Sequence, residues 1–300
     1  MSSAPVISPE TLARVADALA ALARAGLPAL EARMLVSHVT GLSRVQLITQ
    51  DTYVIDEAAR AQISDLATRR LAGEPMAYLL GEREFFGRTF KVTPAVLIPR
   101  PDTEVLVEQA LDRLEDRDAP AVLDMGTGSG IIAVTIALAR TDARVWATDA
   151  SADALAVAAD NAQTLGATNV HAALGDWYGA LAKADAPAVF DLIASNPPYI
   201  AAADEHLSQG DLRFEPASAL TDHDDGLRHV RTIIAGAPMR LAAGGWLLLE
   251  HGYDQGEAVR ALLARAGFAC VFTAQDLGGN DRCSGGQWLD QNAGERSSLK

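Results

Sequence analysis

From Ala121 to Tyr199 the chain repeats one pattern: a short apolar run, an acid or a glycine, then a stretch with helical periodicity. The runs are Ala121-Val122-Leu123-Asp124, Arg144-Val145-Trp146-Ala147-Thr148, Val170-His171-Ala172-Ala173-Leu174 and Val189-Phe190-Asp191-Leu192-Ile193-Ala194. Runs this short and this apolar read as parallel strands buried on both faces. The stretches between them, one reaching Ala139 and one running from Ala152 to Leu165, read as crossover helices. A helix near Leu227 to Leu241, a strand from Gly245 to Glu250 and a helix around Gly256 to Ala266 continue the alternation. Two last strands fall near Ala269 to Ala274 and Arg282 to Leu289. The pattern predicts an α/β fold with a doubly wound sheet, in which ligands bind beyond the carboxyl ends of the strands.

The residues of chemical interest all lie at those ends. Gly126-Thr127-Gly128-Ser129-Gly130 follows the first strand, with Asp124 just before it. The spacing is not the dinucleotide fingerprint, and no Lys-Ser/Thr follows to make a phosphate loop. Glycines at every second position allow a bulky ligand to approach the backbone closely, although a tight strand–helix turn would use the same residues. Asp149 ends the second strand, about twenty residues on, where an acid binds ribose hydroxyls. Ser151 is available as the cap of the next helix, which frees Asp149 from that task. Gly175-Asp176-Trp177 ends the third strand; an acid there can take an adenine amine and an indole can stack on the ring, while Trp177 is equally suited to core packing. Together these describe an adenosine site without phosphate recognition, and S-adenosyl-L-methionine is the cofactor that fits.

Asn196-Pro197-Pro198-Tyr199 follows the fourth strand. Two prolines stop regular structure, stiffen the backbone and leave it with carbonyl acceptors and few donors. With the Asn196 side-chain carbonyl and the flat face of Tyr199, the tetrapeptide offers a rigid, acceptor-rich pocket for a planar group bearing an NH2. A nucleobase amine and a carboxamide both qualify, and a simple turn remains the plain alternative.

The first eighty or so residues carry a different pattern. Ser8-Pro9 starts a helix with Leu12, Val15, Leu19 and Leu22 on one face. Further helices run from about Ala29 to Val39, around Val45 to Ile48 behind Ser43, and from Asp56 past Leu71, making a small bundle. Glu84 to Val92 reads as a hairpin around Gly87, and Ile98-Pro99-Arg100-Pro101-Asp102 as a stiff connector before a helix capped by Asp102 or Thr103. The expected organisation is a helical substrate-recognition bundle over 1–82, hairpin and connector over 83–104, a catalytic domain over 105–290 and a disordered tail over 291–300.

Composition narrows the partners. The net charge is −14, and no Lys/Arg cluster offers the basic face that nucleic-acid phosphates require. No apolar run approaches a membrane span, and the first residues lack a signal-peptide pattern, so a cytoplasmic protein is expected. Cys270 and Cys283 have no ligand-spaced neighbours and fit a reducing compartment. The six histidines are scattered, His223 sits in an acidic stretch that reads as a solvated loop, and no metal site is expected.

The motifs resemble one family over nearly the whole chain. Leu97 to Glu104, Asp124 to Gly130, Gly175-Asp176-Trp177, Ser195 to Ile200, Arg213-Phe214-Glu215-Pro216 and Leu249-Glu250-His251-Gly252 are similar to the release-factor glutamine N5-methyltransferases, the PrmC/HemK family. The resemblance implies a class I methyltransferase fold with a seven-stranded mixed sheet, the N-terminal bundle joined to it by the hairpin. It implies methyl transfer from S-adenosyl-L-methionine, leaving S-adenosyl-L-homocysteine, to the side-chain amide of the glutamine in a Gly-Gly-Gln loop of peptide chain release factors. It implies cofactor contacts at Asp124, Gly126, Thr127, Gly128, Ser129, Gly130, Asp149, Asp176, Trp177 and Asn196. Asn196, Pro197, Pro198 and Tyr199 would hold the glutamine, with Asn196, Pro197 and Tyr199 at the chemistry. Glu250, Glu215 and Arg100 read as scaffold or docking groups, and the protein as a monomer that touches neither nucleic acid nor membrane directly.

The rival readings are a ribosomal-protein glutamine methyltransferase, an N6-adenine DNA methyltransferase and a non-catalytic cofactor-binding interaction protein. The Ile98-to-Glu104 stretch separates the chain from the first, and the charge argues against the second. One oddity remains: the last strand contains Gly285-Gly286-Gln287, the target tripeptide itself. Self-methylation is conceivable, but a bent terminal strand accounts for the glycines.

Overall fold

The computed structural model describes residues 7–289, so the tail expected over 291–300 lies outside the described residues. The chain divides into two compact units. One runs to Glu82 and takes in Gln209–Phe214; the other comprises Arg83–Ser208 and everything from Glu215 onward.

In the first unit, helices Val15–Arg24, Ala29–Thr40, Arg44–Thr49, Glu57–Leu71 and Met76–Leu80 enclose a core in which Leu12, Leu22, Leu35 and Ile63 are fully buried. Local signals set the helix starts. Ser43 and Gln46 form a reciprocal capping box, and the Asp56 carboxylate accepts from the Ala59 N–H at 2.9 Å. The single first helix expected from Ser8 is instead broken. A 3-10 turn over Pro9–Leu12 is followed by extended Arg14, which bridges to Val54. The cause is tertiary: Ala13 C=O accepts from Ile55 N–H and Tyr53 C=O from Val15 N–H, so neighbouring backbone replaces the helical bonds. Met76–Leu80, for which the sequence predicted no helix, is one too short to show a period.

A hairpin of β1 (Glu82–Phe85) and β2 (Arg88–Lys91), all but Glu82 in the second unit, buries Phe85 and Phe90 edge to face. The second unit's sheet contains β3 (Ala121–Met125), β4 (Arg144–Asp149), β5 (Val170–Leu174), β6 (Phe190–Ser195), β7 (Leu241–Glu250), β8 (Ala269–Gln275) and β9 (Asp281–Trp288). The seven strands lie in the order β5-β4-β3-β6-β7-β9-β8, parallel except for β9, which runs antiparallel to both neighbours. This is the mixed, doubly wound sheet anticipated.

Side-chain alternation builds a core on each face. Val122, Leu192 and Leu248 pack under helices Glu104–Leu114 and Ile131–Ala139, while Leu123, Ile193, Leu247 and Leu249 pack with Val230, Ile233, Val259 and Leu263 on the other face. The strand order reverses at β3, between β4 and β6, which opens a crevice at the carboxyl ends of these strands. Ser195 Oγ donates to Met125 C=O at 2.7 Å across that seam.

The terminal Gly285-Gly286-Gln287 is a packing device. A Cβ on Gly285 would lie 2.5 Å from Leu248 Cδ2, and one on Gly286 would lie 2.8 Å from Phe268 Cβ. Gln287 pairs with Trp246 in β7 and donates to Gly244 C=O at 3.0 Å, at the end of β7 away from Glu250.

Candidate active site

The glycine loop leaves β3 in a conformation that ordinary side chains rarely adopt: Gly126, Gly128 and Gly130 have φ of 70°, 56° and 83°. A Cβ on Gly130 would meet Ala158 Cβ at 3.1 Å, so this glycine also lets two helices approach. Asp124 lies fully buried beneath the loop. Its Oδ2 accepts from the Thr127 hydroxyl at 2.6 Å and the Ala133 N–H at 3.2 Å, while Oδ1 has no partner. Burial pushes its pKa up to about 7 against those two hydrogen bonds.

At the end of β4, Asp149 is shared between loop and helix. Its Oδ2 accepts from Gly128 N–H at 3.0 Å and its Oδ1 from Ser151 N–H at 2.9 Å. Ser151 caps the helix Ala152–Leu165 through Ala154 N–H. Behind β5, Gly175 passes so close to Ala180 that a Cβ would sit 2.6 Å from its Cα. Trp177, in the left-handed region at φ 41°, is half-buried, with its ring centroid 5.1 Å from that of His229. Burial lowers the pKa of His229.

Beyond β6, Pro197 is buried while Asn196, Pro198 and Tyr199 are half-buried. Asn196 Nδ2 donates to Thr103 Oγ1 at 3.2 Å, and the Tyr199 hydroxyl donates to Glu250 Oε1 at 3.3 Å. Glu250 ends β7 fully buried, with Oε2 unpartnered. Burial raises its pKa to about 7, opposed by the Thr103 hydroxyl, the Arg282 charge and the Tyr199 hydroxyl. Burial likewise drives the Tyr199 phenol well above its ordinary value.

One cavity of about 600 Å³ brings most of the expected residues together. Gly126, Thr127, Gly128, Ser129, Asp149, Asp176, Trp177, Asn196 and Pro198 line it. Asp124, Gly130, Pro197 and Tyr199 lie outside its lining and support it from behind.

Several lining residues were not placed at the site by the sequence reading: Thr103, Thr221, His223 and His229, with Pro99 from the connector; Arg100, read as a scaffold or docking group, lines the cavity too. Arg100 forms a salt bridge to Glu215, whose Oε2 also accepts from Ile98 N–H at 2.9 Å, so the connector is fastened to this wall. The acidic stretch around His223 is an exposed loop at His223, Asp224 and Asp225, as expected, and only Asp222 departs from that reading. Asp222 is fully buried and accepts from the N–H groups of Asp224, Gly226 and Arg228; burial would raise its pKa, but those three bonds hold it low. The overlooked signal was Asp222 with Gly226 four residues later, a carboxylate knotting a glycine turn. Neither Asp102 nor Thr103 caps the following helix: Thr103 occupies the N-cap position without a side-chain cap bond, its oxygen being engaged by Asn196.

The sheet order, the glycine loop and the acid at the end of β4 define a class I methyltransferase. Among solved structures, the fold is shared with the catalytic domain of hMettl16 (TM-score 0.53, 16% identity, covering 76% of this chain and 83% of that one). A methyltransferase from Pyrococcus furiosus also shares it (TM-score 0.50, 17% identity, 76% of this chain and 100% of that one). Family models described as PrmC N-terminal domain and methyltransferase small domain match residues 12–81 and 101–255. Proteins named release factor glutamine methyltransferase are 59% identical in Bordetella pertussis (88% of this chain, 97% of that protein) and 44% identical in Escherichia coli (91% and 96%). This chain belongs to the release factor glutamine methyltransferase family.

Proposed function

We propose that the protein transfers a methyl group from S-adenosyl-L-methionine to the N5 side-chain amide of the glutamine in the Gly-Gly-Gln loop of peptide chain release factors, in the cytoplasm. The carrying observation is that Asn196 and Pro198 line the same cavity as Gly126–Ser129 and Asp149, so a methyl donor and an amide acceptor would share one chamber. The relatives' shared name supplies the substrate class.

The residues present fit the cofactor. Asp124 Oδ1 is a buried acceptor without a partner beneath the loop, suited to a loop that holds a cationic ligand. The positive φ of Gly126 and Gly128 keeps side chains out of the ligand's path. Asp149, held by Gly128 and Ser151, retains acceptor capacity for ribose hydroxyls. Asp176 and Trp177 would take the adenine, Asp176 at its amine and Trp177 against its face. When bound, the cofactor supplies a methyl group on a sulfonium, an electrophile that needs only an aligned nucleophile.

A carboxamide nitrogen is a poor nucleophile because its lone pair is delocalised into the carbonyl. Asn196 Oδ1 and the Pro197 carbonyl would accept its two N–H bonds, raise electron density on nitrogen and fix its direction. Tyr199, anchored at Glu250, would pack against the amide plane. Orientation is the larger contribution, worth roughly 7–11 kcal/mol for well-aligned reactants. The surplus proton on the methylated nitrogen is strongly acidic and passes to water, so no dedicated base is required.

We assign 1–82 to recognition of the release factor, 83–104 to the connector and 105–290 to methyl transfer by a monomer. Val45 and Ile48, exposed at 68% and 74%, lie three residues apart on helix Arg44–Thr49 and offer the bundle an apolar contact face. The test is incubation with methyl-labelled cofactor and, separately, a release factor, a ribosomal protein and DNA. Label is expected in the release factor; label confined to DNA or to the ribosomal protein would overturn the reading.

A further inference from the structure

The prolines that stiffen Asn196-Pro197-Pro198-Tyr199 also remove the N–H groups by which a turn ordinarily holds itself. A loop of this kind keeps its place only where donors from elsewhere grip its carbonyls. At its far end the donor is Gln255, whose Nε2 donates to Tyr199 C=O at 3.1 Å. The same nitrogen reaches Gly226 C=O at 3.4 Å, and Oε1 accepts from Gly252 N–H at 2.8 Å. One amide thus joins three segments: the tetrapeptide beyond β6, the turn knotted by Asp222, and the turn beyond β7. Backbone groups dictate its orientation. Reversed, it would set a carbonyl against two carbonyls and an NH2 against an N–H. Gly226 leaves no slack at this junction: a Cβ there would lie 2.4 Å from the Tyr199 carbonyl oxygen and 2.7 Å from Gln255 Nε2. Gln255 itself is half-buried and stands outside the cavity lining.

We propose that Gln255 is a positioning residue that clamps the main chain of the tetrapeptide to the Asp222–Gly226 turn, and so fixes where the Asn196 and Pro197 acceptors meet the substrate amide. Tyr199 is tethered twice, by its hydroxyl at Glu250 and by its carbonyl at Gln255. The hydroxyl tether alone would let the backbone turn about the side chain; the carbonyl tether stops it. Proline rings fix φ at Pro197 and Pro198, so a shift at Tyr199 is passed back along a stiff pair to the Pro197 carbonyl instead of being absorbed. The turn on the other side of the clamp follows Thr221 and carries His223, both of which line the cavity. One side chain thereby sets the spacing of two cavity walls. Alignment is the quantity at stake, because a small misplacement of reacting atoms costs a large factor in rate.

The inference rests on the proposed glutamine methylation, and its test separates the two. Amide hydrogen exchange of the full chain needs no substrate and reads the clamp alone. Gln255→Glu keeps the size and the acceptor for Gly252 but turns an acceptor toward two carbonyls. It should lower the protection of the Ile200 and Ala202 N–H groups, bonded to Leu220 and Asp224 C=O, by about tenfold, while β3 and β4 stay as protected as before. Single-turnover methyl transfer to a release factor should slow about tenfold, with cofactor Kd changed less than about twofold. Gln255→Met adds no charge, should behave alike, and serves in its place where the carboxylate prevents folding. In an Asn196→Ala background, Gln255→Glu should slow transfer by less than about threefold more, because the acceptor it positions is gone; a residue acting only on the scaffold would add its full cost. No label in the release factor with the unaltered enzyme would sink the functional reading, and exchange at Ile200 and Ala202 would still decide the clamp. Unchanged protection there in both Gln255 variants, or additive losses in the double variant, would overturn the proposal.

Discussion

The Gly128 N–H donates to the Asp149 carboxylate at 3.0 Å, tying the loop after one strand to the end of the next. In the proposed site this bond would give Asp149 two tasks, shaping the glycine loop and presenting an acceptor to the ligand. Asp149→Ala should therefore weaken cofactor binding more than the loss of one ligand contact. The expected effect is a tenfold or greater rise in cofactor Kd, about 1.5–3 kcal/mol for hydrogen bonds to a charged group. Calorimetric titration with S-adenosyl-L-methionine measures it, and a Kd within a factor of about two of the unaltered protein would remove Asp149 from the site.

Asn196→Ala should leave the fold intact and reduce turnover by about a hundredfold or more, on the order of 3 kcal/mol, as for the removal of one preorganised hydrogen-bond partner. Single-turnover transfer of labelled methyl to a release factor reads this directly. Near-normal turnover would contradict the role assigned to Asn196.

Gly175→Ala should destabilise the protein and blunt the cofactor site together. The new Cβ would stand 2.6 Å from Ala180 Cα and 2.8 Å from its N, both backbone atoms. Relief requires the turn carrying Asp176 and Trp177 to move, at a cost of about 1–3 kcal/mol. Thermal unfolding with and without cofactor should show a lower Tm and a smaller ligand-induced increase.

Two buried carboxylates make stability depend on pH in an unusual direction. Burial raises Asp124 from 3.8 and Glu250 from 4.5 to about 7 each. The folded protein therefore binds more protons than the unfolded chain between those values. Their contribution is fully present below the unfolded pKa values and is lost as pH rises through about 7. Denaturant unfolding of cofactor-free protein at pH 5 and pH 8 should show this loss, and Asp124→Asn should reduce it by an amount on the order of 2 kcal/mol. An identical pH slope in the variant would show that Asp124 is ionised throughout.

Ile48→Asp on the helical bundle should raise KM for the release factor several-fold while leaving cofactor Kd unchanged. Ile48 is 74% exposed, so the substitution disturbs a surface and not the core. An unaltered KM would place docking elsewhere.

The central sheet was legible because buried parallel strands are short apolar runs, and Val122, Leu192 and Leu248 on one face alternate with Leu123, Ile193 and Leu247 on the other. The glycine loop was legible because Gly126 and Gly128 occupy backbone conformations that other residues avoid. Thr103 was not. In sequence it stands before a helix and looks like a cap, and nothing local shows that a side chain 93 residues away will claim its oxygen. His229 was hidden for the same reason: on its own helix it is one polar residue, and its packing against Trp177 arises from the order of the strands. The broken first helix likewise reflects a distant segment, residues 53–55, satisfying the backbone around Arg14. Local pattern revealed what each segment is, and long-range hydrogen bonding decided what several of its side chains do.

The last strand to be synthesised, β9, lies between β7 and β8 and pairs with both. The sheet is thus closed from the end of the chain inward. Until Asp281–Trp288 arrives, β7 offers an open edge and β8 has no partner within the sheet. A nascent chain or a product truncated before Asp281 would hold every residue of the cofactor loop and still present unpaired strand edges, the surface through which incomplete sheets aggregate. Completion of this enzyme's sheet is in that sense the work of Asp281–Trp288, a strand that follows every element around the glycine loop.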